Sequence, residues 1–214
     1  MVKENLEFSA NEKCIVFLVA FTLMTSVARM IDRGVWDAGW KEKGVAVSGI
    51  VVLDLETTGF SPHRGDRVIE IGAVAVAHGE IVAEFQTLIR VPRSIPWQAS
   101  RVHGITDRML AGQPLPEDVY PAFRDFIGES MLLAHNARFD LSFLRHEFGR
   151  LGMELSNRHG CTLERARRTL PRLTDHRLET VARYLLGALP EEMRLHRALD
   201  DARLTARVWL AMEG

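Results

Sequence analysis

Asp54 and Glu56 stand two residues apart at the end of the apolar run Ile50-Val51-Val52-Leu53 in a chain of 214 residues. In an extended strand, residues i and i+2 project to one face, so the two carboxylates point the same way. Like charges side by side at the end of a buried strand are costly unless a cation sits between them. A divalent metal ion is the natural partner. The alternative is a strand that simply runs into a solvated acidic turn closed by Thr57-Thr58-Gly59. Two further segments carry chemistry-bearing residues. In His135-Asn136-Ala137-Arg138-Phe139-Asp140, the last residue falls in the first turn of a helical pattern, where the helix dipole also favours an acid. In Leu195-His196-Arg197-Ala198-Leu199-Asp200-Asp201, a histidine precedes a helix whose first turn is acidic, and helix capping offers its own explanation. Singly, each is an ordinary strand end or helix start. Together they set acids and a histidine at the mouths of successive elements, a combination that favours a metal site.

These residues need a frame. After the first strand, residues 68–76 and 81–89 read as two more strands, with Ala77-His78-Gly79-Glu80 as a hairpin-type link; three strands with short connections make an antiparallel meander. Pro92 and Pro96 break the pattern and open a loop region. Residues 116–127 carry Val119, Phe123, Phe126 and Ile127 at helical spacing. Residues 131–134 form an apolar run short enough for a central strand. Residues 137–151 read as a helix with Leu141, Leu144, Phe148 and Leu151 on one side, stopping at Gly152. Helical stretches over 163–170, 178–186 and 198–212 follow. Strands first and helices later argue for an α/β domain built on one mixed sheet flanked by helices.

The apolar fraction of 47% and charged fraction of 26% are those of a globular protein with a real core. A net charge of −1 and a pI near 6.7 exclude a global basic field, so a nucleic-acid ligand requires a local patch or bound metal. Residues 150–177 offer such a patch, with seven arginines against Glu154, Glu164 and Asp175. Arg165, Arg167, Arg168 and Arg172 either track phosphates or form the solvated face of a helix. Cys14 and Cys161 have neither metal-ligand spacing nor a disulfide framework, which fits a reducing compartment and a cytoplasmic location. Residues 14–28 are the most apolar stretch, bracketed by Lys13 and Arg29. They fall short of the ~20 residues that span a bilayer, and Glu4, Glu7 and Glu12 ahead of them deny a positively charged leader. A helix docked on the domain or on a partner is expected there, with membrane association as the alternative. Residues 32–47, with Gly34, Gly39 and Gly44, read as a linker. The boundary near Val47 divides an N-terminal apolar appendage, 1–48, from the main domain, 49–214.

Asp54-Leu55-Glu56-Thr57-Thr58-Gly59, the segment from His135 to Asp140, and His196 followed five residues later by Asp201 resemble the three motifs of the DnaQ-like (DEDDh) 3′–5′ exonucleases. That family includes the proofreading epsilon subunit of bacterial DNA polymerase III. Val102-His103-Gly104-Ile105-Thr106 resembles a family segment between the first and second motifs, and Leu178-Glu179-Thr180-Val181-Ala182 one ahead of the third. The resemblance covers residues 49–212 and implies a ribonuclease H-like fold.

It also implies two divalent ions, Mg²⁺ or Mn²⁺, which suit oxygen ligands better than zinc does. Set ~3.5–4 Å apart, such ions clamp the attacking and leaving oxygens of a phosphoryl displacement. By resemblance, Asp54 bridges both ions, Glu56 and Asp201 complete the site of the nucleophile-binding ion, and Asp140 holds the second. His196 is the general base, an imidazole being suited to that task near neutrality. The family spacing selects Asp201 over Asp200, and residues ~100° apart on a helix cannot both face one site. Thr57 and Thr58 would hold the 3′ terminus, with Phe60 and His103 stacking on or packing against the last bases; a loop anchor is the alternative for Phe60. The implied partners are single-stranded or frayed 3′ ends of DNA and a DNA polymerase. RNA trimming, and a non-catalytic binding module on the same fold, are the competing functions. The sequence ends at Gly214, directly after the last helical stretch, which weakens the replicative-proofreader expectation; a stand-alone repair, processing or scavenging exonuclease, or an epsilon-like relative, fits as well.

Overall fold

The computed structural model describes residues 49–189 and 196–213. The expectations for residues 1–48 lie outside the described residues. Five strands form one sheet: β1 (Ile50–Thr57), β2 (Val68–Ala77), β3 (Glu80–Leu88), β4 (Met131–Ala134) and β5 (His159–Cys161), in the order β3-β2-β1-β4-β5. The expected meander is present, β1 pairing antiparallel with β2 and β2 with β3. On its other edge β1 pairs parallel with β4, and β4 with β5. β1 therefore lies at the middle of a mixed sheet. Its neighbour β2 is buried on both faces from Val68 to Val76, which is why its sequence, Glu70 excepted, is apolar throughout rather than alternating. Edge strand β3 exposes Glu80, Val82, Glu84 and Gln86 in alternation, and its charges discourage edge-to-edge pairing.

Seven α-helices accompany the sheet among the described residues: α1 (Trp97–His103), α2 (Asp107–Leu110), α3 (Pro116–Ile127), α4 (Ala137–Arg150), α5 (Thr162–Thr169), α6 (Leu178–Leu186) and α7 (Ala198–Glu213). Pro116 opens α3 at a position where its missing N–H would have had no helical partner, and Glu117 and Asp118 follow in the first turn. Leu199 and Ala206 of α7 pack on Val52, Val74, Val76 and Leu133 of the sheet. Another side of α7, Leu204 and Val208, packs on Val181 and Ala182 of α6 and Ala166 of α5. Tyr120 and Phe123 of α3 meet Phe148 of α4 and Phe85 of β3, with ring centroids 5.5 and 5.1 Å apart. Each such fully buried large side chain contributes roughly 1.5–3 kcal/mol.

One close approach positions the last helix. A Cβ on Gly72 of β2 would lie 2.1 Å from the backbone carbonyl carbon of Ala198 and the amide nitrogen of Leu199. The first turn of α7 therefore rests directly on the backbone of β2, and only glycine leaves room for it.

Three elements were not legible in advance. α1 and α2 occupy the region read as loop after Pro92 and Pro96; they are seven and four residues long, too short for a periodic pattern to emerge. β5 is three residues containing Gly160, where a Cβ would approach Leu133 Cδ2 to 2.7 Å. Close packing on β4, not strand propensity, selects that glycine. No helix among the described residues is long and apolar enough to cross a membrane.

Candidate active site

The acids converge. Because β1 alternates its faces, Leu53 and Leu55 enter the core while Asp54 and Glu56 share the opposite side. One carboxylate oxygen from each of Asp54, Glu56 and Asp201 lies within 4.8 Å of the others. Asp140, in the first turn of α4 and 3% exposed, adds a fourth carboxylate near enough to act on Asp54. Asn136, with φ of 76° in the left-handed region that asparagine tolerates, turns the chain from β4 into α4. Burial, then Asp140, Glu56, Asp201 and Glu70, hold the Asp54 carboxyl well above the usual carboxylate range. Glu56 is pushed up to about 8 by burial and then by Glu70, Asp201 and Asp140, with Arg197 pulling the other way. Asp140 is raised to about 8 by burial, against hydrogen bonds from its own backbone and that of Leu55. Asp201 is raised to about 6 by burial, opposed by its bond to His196.

Carboxylates this close, half-buried at Asp54 and Glu56 and buried at Asp140 and Asp201, fit divalent ions bound through oxygen. The nearby cation, Arg197, is already paired with Glu70.

α7 delivers Asp201 and not Asp200. The Asp201 Oδ2 accepts the backbone N–H of His196 at 2.9 Å, so the acid closes the helix start while its carboxyl group faces Asp54 and Glu56. Asp200 pairs with Arg203 Nη1 at 3.0 Å, and Arg203 in turn forks onto Glu84 of β3 at 2.8 and 2.6 Å. The two consecutive acids diverge as helical geometry requires. His196 is exposed and adopts φ of 64°.

The residues expected to hold the substrate occupy three different environments. Thr57 donates its hydroxyl to the Gly59 carbonyl at 2.6 Å. Thr58 is buried; its Oγ1 accepts the Arg67 N–H at 3.0 Å and its own N–H donates to the Arg67 carbonyl at 2.9 Å. Both hydroxyls thus help to shape the loop after β1. Phe60 is 93% exposed at that loop. His103 is 6% exposed, its Nδ1 accepting the Ile105 N–H at 3.0 Å, and burial lowers its pKa. His135 of the second motif braces the scaffold: its ring nitrogens reach Thr162 Oγ1 at 3.0 Å and the His176 carbonyl at 2.8 Å. Of the four arginines weighed as phosphate contacts, Arg165 is turned onto α7, bonding Glu213 and the Met212 carbonyl and lying over Trp209. Arg167, Arg168 and Arg172 are exposed.

Two buried ion pairs were missed. Arg67 forks onto Glu147 of α4 at 2.7 and 2.8 Å, and Arg197 pairs with fully buried Glu70 of β2 at 2.7 Å. The available signal was a carboxylate inside the apolar run Val68-Ile69-Glu70-Ile71, which demands a partner.

Comparison with known proteins agrees with this geometry. The RNase_T exonuclease family model matches residues 51–209. The chain is 41% identical over 158 residues to the PolC-type DNA polymerase III of Clostridium perfringens, covering 74% of this chain and 11% of that polymerase. It is 36% identical over 178 residues to DNA polymerase III subunit epsilon of Rickettsia typhi, covering 77% of this chain and 73% of that subunit. Among solved structures, exonuclease X in complex with 5′ overhanging duplex DNA aligns with a TM-score of 0.62 at 31% identity, covering 76% of this chain and 90% of that one. An E. coli exonuclease I complex with single-stranded DNA, TM-score 0.67 at 17% identity, shares the fold. Fold and comparisons together define a DnaQ-like exonuclease domain with a ribonuclease H-like architecture. The chain belongs to the RNase_T exonuclease family.

Proposed function

We propose that the protein is a 3′–5′ exonuclease that hydrolyses the terminal phosphodiester bond of DNA and releases nucleoside 5′-monophosphates, using two Mg²⁺ or Mn²⁺ ions. The observation that carries this reading is the cluster of Asp54, Glu56 and Asp201 oxygens within 4.8 Å of one another, with buried Asp140 acting on Asp54. Asp54, Glu56, Asp140 and Asp201 would hold the ions. Bound there, the ions supply Lewis-acid polarisation of the phosphoryl group and neutralise charge on the displaced oxygen.

The protein's own groups do the rest. His196, exposed beside Asp201, takes the proton of the attacking water as general base. Thr57 and Thr58 serve the 3′ terminus by shaping the loop that receives it, their hydroxyls being engaged by Gly59 and Arg67, and Phe60 and His103 contact the last bases. Exposed Phe60 is free to stack, whereas buried His103 contributes a wall rather than a platform.

DNA is favoured over RNA because the relatives above are named as DNA polymerases or subunits, and one is solved with duplex DNA. The same names support association with a DNA polymerase and a cytoplasmic place of work. Degradation of end-labelled single- and double-stranded DNA and of RNA, each with Mg²⁺, Mn²⁺ or chelator, tests the proposal. Mononucleotide release from DNA 3′ ends, abolished by chelator and by Asp54→Ala, is expected. Preferential shortening of RNA would reassign the substrate, and binding of ends without turnover would make the domain a non-catalytic module.

A further inference from the structure

Glu70 has no part in the chemistry above, yet it is the most thoroughly engaged acid near the site. It is the third residue of β2, fully buried, directly opposite Glu56 across the β1–β2 ladder. Its Oε1 accepts from Arg197 Nη2 at 2.7 Å and Gln86 Nε2 at 3.1 Å. Its Oε2 accepts from Arg197 Nε and from the backbone N–H of Ala198, both at 3.2 Å. A carboxylate with both oxygens engaged in this way is not offered to a metal ion. It is instead a socket for the two residues that directly follow His196.

That placement matters because of how His196 is held. Its backbone is in the left-handed region, which a non-glycine residue keeps only where its surroundings impose it. Among the described residues, two restraints act on it. One is the hydrogen bond from its own N–H to Asp201. The other is the seating of Arg197 and Ala198 on Glu70, next to the contact of the α7 first turn with Gly72. A planar guanidinium forked onto a carboxylate fixes orientation as well as distance.

We propose that Glu70 and Arg197 form a positioning latch, from β2 to the start of α7, that sets His196 over the acid cluster without touching ion or substrate. The inference rests on His196 being the general base. The latch explains why a charged pair is kept inside an apolar strand: a neutral amide at position 70 can accept the Ala198 N–H but cannot receive both heads of the fork.

A double-mutant cycle on the full chain tests it, with kcat and KM measured on a single-stranded DNA 3′ end in Mg²⁺. Glu70→Gln is expected to lower kcat by ~10–100-fold with KM within about twofold, and to add no more than about a twofold loss in a His196→Ala background. The rise in melting temperature on adding Mg²⁺ should survive Glu70→Gln, because all four acids of the cluster are intact. Should Glu70→Gln not fold, Arg197→Lys, which keeps the charge and loses the fork, enters the same cycle with an expected kcat loss of about fivefold. A full, additive loss in the His196→Ala background overturns the latch alone. So does a lost Mg²⁺ response, which would place Glu70's effect on the acids. A His196→Ala protein with undiminished kcat overturns the general-base reading and the latch together.

Discussion

Neutralising one acid of the cluster should make the metal-free protein more stable, by an amount that grows as pH rises above the ordinary carboxylate range. Glu56 is the clearest case, pushed up to about 8 by burial and by Glu70, Asp201 and Asp140, against ~4.3 in an unfolded chain. A carboxyl group whose folded-state pKa exceeds its unfolded value binds its proton more tightly when folded. Its contribution to stability is complete below about pH 4.3 and is lost as pH rises through about 8. At ~1.4 kcal/mol per pH unit, keeping Glu56 in the fold at about pH 7.5 costs at most ~4 kcal/mol relative to a neutral amide. The remaining acids and water readjust when one charge is removed, so Glu56→Gln should gain ~1–3 kcal/mol, or about 3–9 °C in Tm for a chain of this size. Melting curves in chelator between about pH 5 and 8.5 should show the gap opening as pH rises through that interval. Millimolar Mg²⁺ should then reverse the order, since an ion at a hundred times its Kd stabilises the wild type by ~2.7 kcal/mol and Glu56→Gln lacks a ligand. A variant that melts at or below the wild type near pH 8 in chelator, or a gap that closes as pH rises, would refute the electrostatic account of the site.

Asp201→Asn should reduce exonuclease activity by at least ~100-fold, whereas Asp200→Asn, which weakens the ion pair with Arg203, should stay within about twofold in a mononucleotide-release assay. Gly72→Ala forces a Cβ against the α7 backbone; chemical denaturation should show a loss of at least ~2 kcal/mol, accompanied by lowered kcat because Asp201 and His196 move with the helix. Arg67→Ala strands the buried Glu147 carboxylate and should cost about 3–5 kcal/mol, read from the urea midpoint at unchanged m-value. A chain beginning at Val47 should keep wild-type kcat on single-stranded DNA, and a loss of kcat would assign residues 1–48 a part in catalysis.

Much of the site was written in local sequence. The same-face projection of Asp54 and Glu56 needs only the two-residue period of a strand, and the places of Asp140 and Asp201 need only helices that start where the apolar pattern starts. What local pattern could not show is pairing over long separation. Arg197 meets Glu70 from 127 residues away, and Glu147 meets Arg67 from 80; no short window contains both partners. Likewise Thr58 looks like a turn hydroxyl ready for substrate until Arg67, folded back beside it, takes its oxygen. β5 and α1 escaped for other reasons: β5 owes its glycine to what it packs on rather than to strand propensity, and α1 is too short to show a helical period.

The site is assembled from positions 54, 56, 140 and 201, and the last of these rides on α7, the final described element. During synthesis the strands and α4 emerge first, with β1's acids and Asp140 present but the helix that seats on Gly72 and Val74 still unmade. Contacts of such sequence separation form late in folding. A chain broken off before α7 therefore lacks both Asp201 and His196, and the candidate site is complete only once that helix has been made and seated.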